Sequence, residues 1–376
     1  MAGLNETPKG DRVHIAFFGL RNAGKSTLVN RLTGQDVAIV SDVAGTTTDP
    51  VSKAMEILPL GPCLVTDTAG LDDEGPLGEM RVKKSLDVLA TTDIAVWVED
   101  CAVAQERDPP AVYERFIAAC RARDIAVLHY RRGDDVDAFR RELAAVRLAD
   151  APRPLVGDLV STGDVVVCVC PIDESAPKGR LILPQQQVVR ELLDAGASAL
   201  VCQPPQLKDI LERTAGVKFV ITDSQAFKAV AAVVPPEIPL TSFSIVFARA
   251  KGDLAAYCAG AAALAALKDG DRVLISEGCT HHRQCNDIGT VKLPKWIMAQ
   301  TGKKLSFEWT SGNAFPEDIS PYALVVHCGG CMLTRRAVQA RIARCRAACV
   351  PITNYGVCIA ACNGITASPD TCMVRR

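Results

Sequence analysis

Aromatic residues are scarce in this 376-residue sequence, at 5% of the chain. Hydrophobic residues nevertheless reach 48%, so substantial cores are built of Val, Leu, Ile and Ala, as in parallel sheets covered on both faces. An excess of either charge is also missing. Forty-two Lys and Arg stand against 43 Asp and Glu, and a net charge of -1 gives no general case for nucleic acid or an anionic membrane surface. No hydrophobic run is long enough for a bilayer; the longest, Leu254 to Leu267, reads as a buried helix. The polar start, Met1 to Gly10, lacks the apolar segment of a secretory signal. A cytoplasmic location with mostly reduced thiols is the expectation. Histidine is rare, at five, but cysteine is not, at 16. Cys279, Cys285, Cys328, Cys331, Cys345, Cys349, Cys358, Cys362 and Cys372 crowd the C-terminal part. In a reducing compartment that crowding points to metal rather than to a disulfide framework.

The length suggests two or three domains. Near the start, the apolar strand His14 to Phe18 runs into Gly19-Leu20-Arg21-Asn22-Ala23-Gly24-Lys25-Ser26, and Thr27 to Leu32 continues as a helix. Strand, glycine-rich loop and helix are the context of a phosphate-binding P-loop. Backbone N–H groups from Gly19 to Thr27 suit phosphate oxygens, Lys25 suits the β- and γ-phosphates, and the Ser26 hydroxyl suits Mg²⁺. Downstream, Ala44-Gly45-Thr46-Thr47-Thr48-Asp49 is a hydroxyl-rich loop, with Thr46 and Thr47 placed to close on Mg²⁺ and the γ-phosphate. The strand Cys63 to Thr66 ends in Asp67-Thr68-Ala69-Gly70, where Asp67 suits Mg²⁺ through water and the Gly70 N–H suits the γ-phosphate.

This stretch resembles the TrmE–Era group of translation-factor-like GTPases, which share the Gly-Thr-Thr loop and the Asp-Thr-Ala-Gly turn. In that group an Asn inside the P-loop helps to bind potassium, so the resemblance makes Asn22 a candidate K⁺ ligand; the alternative is an ordinary loop asparagine. Two departures matter. Leu71 stands where many GTPases place a water-orienting glutamine, so slow intrinsic hydrolysis is expected, with Asp72, Asp73, Glu74, a cation or a partner as possible help. After the strand Ile125 to Leu128 comes His129-Tyr-Arg-Arg-Gly-Asp134 instead of Asn-Lys-x-Asp. Guanine preference then falls to Asp134 or Asp135, or is absent.

Ala151-Pro-Arg-Pro154 is a linker signal. Beyond it, strands Val165–Cys170, Ala199–Cys202 and Val217–Thr222 alternate with helices 185–193, 206–214 and 224–233, a pattern of a small parallel sheet. No catalytic constellation stands there, and Cys168, Cys170 and Cys202 read as core residues. Assembly, as a homodimer, is the expected role. Thr241–Phe247 reads as a strand opening the last part, and a helix capped by Asp253 follows. Two half-sites then stand out: Cys279-Thr-His281, after the apolar run 272–276, and His327-Cys328-Gly-Gly-Cys331, after the run 322–326. Loops at the carboxyl ends of strands are where open α/β sheets place ligands. Thiolates with neighbouring imidazoles suit an iron–sulfur cluster or zinc. A buried structural role or a redox C-x-x-C is the alternative. Cys345/Cys349 and Cys358/Cys362, each spaced i,i+4, read as buried apolar positions before metal ligands.

Taken whole, the chain resembles the HydF family, the GTPases of [FeFe]-hydrogenase maturation; the terminal motif and Pro351-Ile-Thr-Asn-Tyr-Gly356 are the most specific parts of the likeness. The resemblance implies a P-loop GTPase domain over 1–150, an α/β dimerisation domain over 151–240 and a cluster-binding α/β domain over 241–376. It implies a [4Fe–4S] cluster on Cys279, Cys328 and Cys331, with His327 or His281 as the candidate fourth ligand. It further implies that the chain carries the di-iron precursor of the hydrogenase active site, receives it from radical-SAM maturases and hands it to the apo-hydrogenase. A GTPase switch with a structural zinc is the alternative.

Overall fold

A computed structural model describes residues 7–33, 51–58, 60–72, 75–100, 110–146, 153–172, 181–278, 287–312 and 314–375. The chain forms two compact units, Met1–Ala151 and Pro152–Arg376. Among the described residues, no helix is long and apolar enough to cross a membrane.

The first unit is a sheet of order β2-β3-β1-β4-β5, made of β1 (Val13–Gly19), β2 (Val51–Ile57), β3 (Gly61–Asp67), β4 (Ile94–Glu99) and β5 (Ala126–Arg131). All neighbours run parallel except β2 on β3. Its helices are α1 (Lys25–Thr33), α2 (Gly75–Asp87), α3 (Pro110–Arg121) and α4 (Val136–Ala145). The apolar continuity of β1 follows from burial on both faces. Ile15 and Phe17 pack with Leu28, Val29 and Leu32 of α1 and Phe139 and Leu143 of α4. Ala16 and Phe18, pointing the other way, pack with Phe116 and Cys120 of α3. The carboxyl ends of β1 and β3 thus lie side by side, with Phe17 paired to Asp67.

The second unit carries two sheets. One, of order β11-β10-β12-β13, is wholly parallel; it comprises β10 (Arg272–Ser276), β11 (Ser306–Thr310), β12 (Leu324–His327) and β13 (Ile352–Asn354). The other has the order β14-β15-β9-β8-β6-β7. Its parallel part is β6 (Val165–Val169), β7 (Ser198–Cys202), β8 (Val217–Thr222) and β9 (Leu240–Ser242), and the short β14 (Thr366–Ala367) and β15 (Val374–Arg375) add antiparallel strands from the end of the chain. Helices α5 (Leu183–Asp194), α6 (Leu207–Arg213) and α7 (Phe227–Val233) alternate with β6 to β9 as the sequence pattern requires. The architecture is α/β, with parallel sheets dominating both units.

One expected strand is wrong. Residues 241–247 do not form one; β9 stops at Ser242, whose side chain accepts from the Ile245 N–H at 3.2 Å and caps α8 (Phe243–Lys251). Phe243, Ile245, Val246, Phe247 and Ala248 are all buried, so the run carries no periodicity that separates helix from strand. Helix α9 (Leu254–Ala262) follows, capped by Asp253 as expected. One core joins Val166, Phe219, Phe243, Val246, Leu274, Val325 and Val374, so both sheets share it through α8. The remaining helices are α10 (Leu293–Thr301), α11 (Arg335–Ala347) and α12 (Tyr355–Cys362).

Candidate nucleotide and metal sites

The loop between β1 and α1 is shaped by close approach. A Cβ on Gly19 would stand 2.4 Å from the Val98 carbonyl oxygen, so only glycine fits there. Asn22 is exposed, in the left-handed region at φ 63°, a conformation asparagine tolerates better than most residues. Lys25 opens α1, buried, and its Nζ donates to the Leu20 and Gly19 carbonyls at 2.8 and 3.3 Å. Ala23 is buried beneath the loop, and Thr27 is exposed on the first turn of α1.

Ser26 Oγ donates to Asp67 Oδ2 at 2.5 Å. The other carboxylate oxygen, Asp67 Oδ1, is buried without a hydrogen-bond partner. Burial raises the Asp67 pKa, opposed by Ser26 and the Lys25 charge. A hydroxyl and an unsatisfied carboxylate oxygen side by side are the hard-oxygen set that Mg²⁺ takes, so these residues fit the ion. Gly70 lies against the P-loop: a Cβ there would stand 2.9 Å from the Arg21 nitrogen. Asp72 Oδ1 accepts from that same Arg21 N–H at 2.6 Å, and the Leu71 N–H donates to the Gly19 carbonyl at 3.2 Å. Leu71 itself is buried with Phe18, Leu89, Trp97 and Phe116. Thr46, Thr47, Asp73 and Glu74 lie outside the described residues.

On the base side, a Cβ on Gly24 would meet Arg132 Cδ at 3.8 Å, so Arg132 passes over the P-loop, and its guanidinium pairs with Asp100 at 2.7 Å. Asp134 Oδ2 accepts from the Arg131 N–H at 2.9 Å, and Asp135 caps α4 by accepting from the Asp137 N–H. Both carboxylates have local structural work.

The C-x-x-C turn lies at the carboxyl end of β12. Gly330, at φ 67°, gives the turn its left-handed residue. Cys328 Sγ accepts from the Gly278 N–H at 3.0 Å and the Gly330 N–H at 3.3 Å. Gly278 follows β10, and the next residue in sequence is Cys279. Cys279, His281, His282 and Cys285 lie outside the described residues, and among the described residues no three His, Cys, Asp or Glu side chains gather around a metal position. Burial raises the Cys328 pKa, against the two N–H groups and Arg341; Cys331 is pushed up to about 11 by burial and by Cys328, with Lys251 opposing. Two N–H donors on Cys328 Sγ and buried cations nearby suit sulfur that carries negative charge, so Cys328 and Cys331 fit a metal centre that takes sulfur.

His327 is buried on β12, and burial with the Arg341 charge lowers its pKa to about 3. Its Nδ1 lies 2.7 Å from the Cys328 carbonyl and its Nε2 3.1 Å from Arg341 Nη1. Arg341 and Lys251 were not singled out in the sequence. Lys251 Nζ donates to the Cys331 and Leu333 carbonyls at 3.3 and 3.0 Å, pinning the turn from below. The signal for Arg341 was there: it shares the buried stripe of α11 with Val338, Ile342 and Cys345.

The other cysteines divide. Cys168, Cys170 and Cys202 are buried in the core. Cys345 is buried on α11, but Cys349 is exposed beyond its end at φ 55°, so that pair does not share a helix face. Cys358 and Cys362 both lie on α12, and each acts on the other, with the Cys358 pKa raised and the Cys362 pKa lowered.

Comparison with known families gives three matches. The "50S ribosome-binding GTPase" family matches residues 14–129, the "Hydrogen maturase F dimerization domain" residues 155–252 and the "Hydrogen maturase F tetramerization domain" residues 255–368. The chain belongs to the HydF family. Its N-terminal unit is accordingly a GTPase domain, and the remainder of this HydF chain consists of two modules named for self-association. The tRNA modification GTPase MnmE of Pseudomonas fluorescens is 37% identical over 108 residues, covering 28% of the chain and 24% of that protein. GTPase Der of Xylella fastidiosa M23 is 35% identical over 153 residues, covering 38% and 33%. The chain thus spans a quarter to a third of the length of these curated relatives, both of which are named as GTPases. Among solved structures, Aquifex aeolicus Era bound to GDP and aluminium fluoride covers 81% of this HydF chain and 94% of its own at 16% identity, with a TM-score of 0.27, too loose a superposition to add to the topology above.

Proposed function

We propose that this chain is a slow GTPase of [FeFe]-hydrogenase maturation that also carries a [4Fe–4S] cluster and the di-iron precursor delivered to apo-hydrogenase. Family membership supports the maturation role. The P-loop fold supports GTP hydrolysis. Backbone N–H groups of residues 19–27 hold the phosphates, Lys25 neutralises them, and Ser26 and Asp67 hold Mg²⁺, which supplies charge stabilisation when bound. Thr46 and Thr47 would close on the γ-phosphate, Gly70 would report its presence, and Asn22 would contribute to K⁺ binding. Leu71 supplies no hydrogen bond to the attacking water, so hydrolysis is slow until a cation or partner assists.

Cluster binding rests on one observation above all: Cys328 Sγ receives two backbone N–H groups, one of them from Gly278, the residue before Cys279. Cys279, Cys328 and Cys331 are the proposed ligands, which leaves one iron open to the cargo. Residues 151–240 would serve a homodimer and 241–376 the cluster, in the cytoplasm, with radical-SAM maturases and apo-[FeFe]-hydrogenase as partners and neither nucleic acid nor membrane involved. Coexpression with the two radical-SAM maturases and an apo-hydrogenase tests this. Wild type should yield hydrogen-evolving enzyme, and Cys328→Ser none. Full activation by Cys328→Ser, or a colourless wild-type protein holding stoichiometric zinc, would refute the carrier reading.

A further inference from the structure

The motif histidine at 327 has an obvious reading, the fourth iron ligand, and the geometry argues against it. The Cys328 carbonyl can only accept, so the His327 nitrogen facing it at 2.7 Å, Nδ1, must carry the proton. The guanidinium of Arg341 can only donate, so Nε2, at 3.1 Å, offers its lone pair there. Both ring nitrogens are committed, in a side chain 1% exposed. No lone pair remains for iron.

What the imidazole holds is informative. Arg341 is 5% exposed, and its hydrogen bonds go to neutral acceptors: His327, Ser276 Oγ at 3.1 Å and the Gly312 carbonyl at 2.6 Å. Among the described residues no carboxylate pairs with it. A buried cation without an anionic partner is costly. Burial accordingly lowers the Arg341 pKa, and Cys328 is the first group that opposes it. The row extends across the sheet. Thr310, Ser276, His327 and Asn354 are register neighbours at the carboxyl ends of β11, β10, β12 and β13. Thr310 Oγ1 donates to Ser276 Oγ, and Asn354 Nδ2 donates to the Cys328 carbonyl at 3.2 Å, beside His327. Asn354 is oriented in turn by the Gly356 N–H at 2.8 Å and by Ser244 Oγ.

We propose that His327 is a positioning residue rather than an iron ligand: as a neutral, Nδ1-protonated ring it fixes the Cys328 carbonyl and aims Arg341 as the buried counter-charge of the thiolate-bound cluster. This rests on the cluster reading for its function, but the tautomer does not. The first arm therefore uses the metal-free full chain labelled with ¹⁵N-histidine, the His327 signals assigned by their loss in His327→Gln. Nδ1 protonated and Nε2 bare at pH 7 is expected; an Nε2-protonated or cationic ring overturns the proposal. In the second arm the protein is reconstituted with iron and sulfide. His327→Gln, whose Oε1 can still accept from Arg341, should keep the wild-type nitrogen hyperfine couplings of the reduced cluster. His327→Ala should lose iron to a chelator faster, with affinity down roughly 10–100-fold, the usual cost of losing an outer-shell partner. Arg341→Met should move the reduction potential in the negative direction, and Arg341→Lys should bring it back. Loss of an imidazole coupling in a folded His327→Gln protein would make His327 a ligand and end the proposal. No iron uptake by wild type would instead defeat the cluster reading, with the tautomer still deciding the role of His327.

Discussion

Replacing Leu71 by glutamine restores the residue that many GTPases use to orient water, yet here it should not accelerate hydrolysis. The side chain at 71 is 6% exposed and packs among Phe18, Leu89, Trp97, Phe116 and Ile125. The backbone holds it there, because the Leu71 N–H is bonded to Gly19 and the adjacent Asp72 carboxylate to Arg21. Burying a leucine contributes about 1.5–3 kcal/mol. An amide in its place, unpaired, costs a further ~1–3 kcal/mol. Leu71→Gln should therefore destabilise the first unit by about 3–5 kcal/mol, a fall in its melting temperature of roughly 10 °C for a unit of this size. Melting with and without nucleotide, beside steady-state phosphate release with K⁺ and with Na⁺, measures both effects. Turnover unchanged or lower, with the lower melting temperature, is expected. A tenfold rise in turnover with stability intact would show that residue 71 turns out toward the phosphates, and would refute the reasoning.

Two further perturbations probe the scaffold. Burial depresses the His14 pKa, its Nε2 faces the Lys9 carbonyl at 2.9 Å, and the neutral ring is the folded form. The unfolded chain protonates first as pH falls, so the contribution is complete above about pH 6.5 and is lost below it as pH falls toward the depressed folded pKa. The first unit should melt lower at pH 5.5 than at 7.5, with the difference smaller in His14→Gln; an equal difference in the variant would remove His14 as the cause. In the second unit, a Cβ on Gly260 of α9 would stand 2.0 Å from the Ile352 carbonyl oxygen on β13. Gly260→Ala should cost about 3 kcal/mol or more, because backbone rather than a flexible side chain must yield. Urea denaturation in a Trp97→Phe background isolates the effect, since the remaining tryptophans, Trp296 and Trp309, lie in the second unit. An unchanged midpoint would contradict the close packing of α9 on β13.

The P-loop was legible because its chemistry is local. Strand, glycine turn, Lys25, Ser26 and helix are contiguous, so spacing alone placed them. The alternation of β6 to β8 with α5 to α7 was legible for the same reason, whereas β9, read as opening the last part of the chain, pairs with β8. Helix α8 was not legible, because its run is apolar on every side and follows β9 directly, with Ser242, the last strand residue, serving as its cap. The pairing of β15 with β9 was hidden too, since a two-residue strand carries no pattern. At the thiol site, the C-x-x-C spacing announced the tight turn that holds Cys328 and Cys331 at the end of β12. The surroundings of His327 were invisible because Arg341 reaches its ring from α11 and Asn354 reaches the Cys328 carbonyl from the end of β13, positions that only the fold brings together.

The most direct test of the account is EPR of anaerobically reconstituted, dithionite-reduced full-length protein, wild type beside Cys328→Ser. A reduced [4Fe–4S] signal in wild type that is lost in the variant is predicted, with hyperfine features altered by added cyanide because one iron is open. A wild-type protein that takes up no iron, or a Cys328→Ser signal indistinguishable from wild type, would contradict the central claim that Cys328 anchors a cluster in this HydF chain.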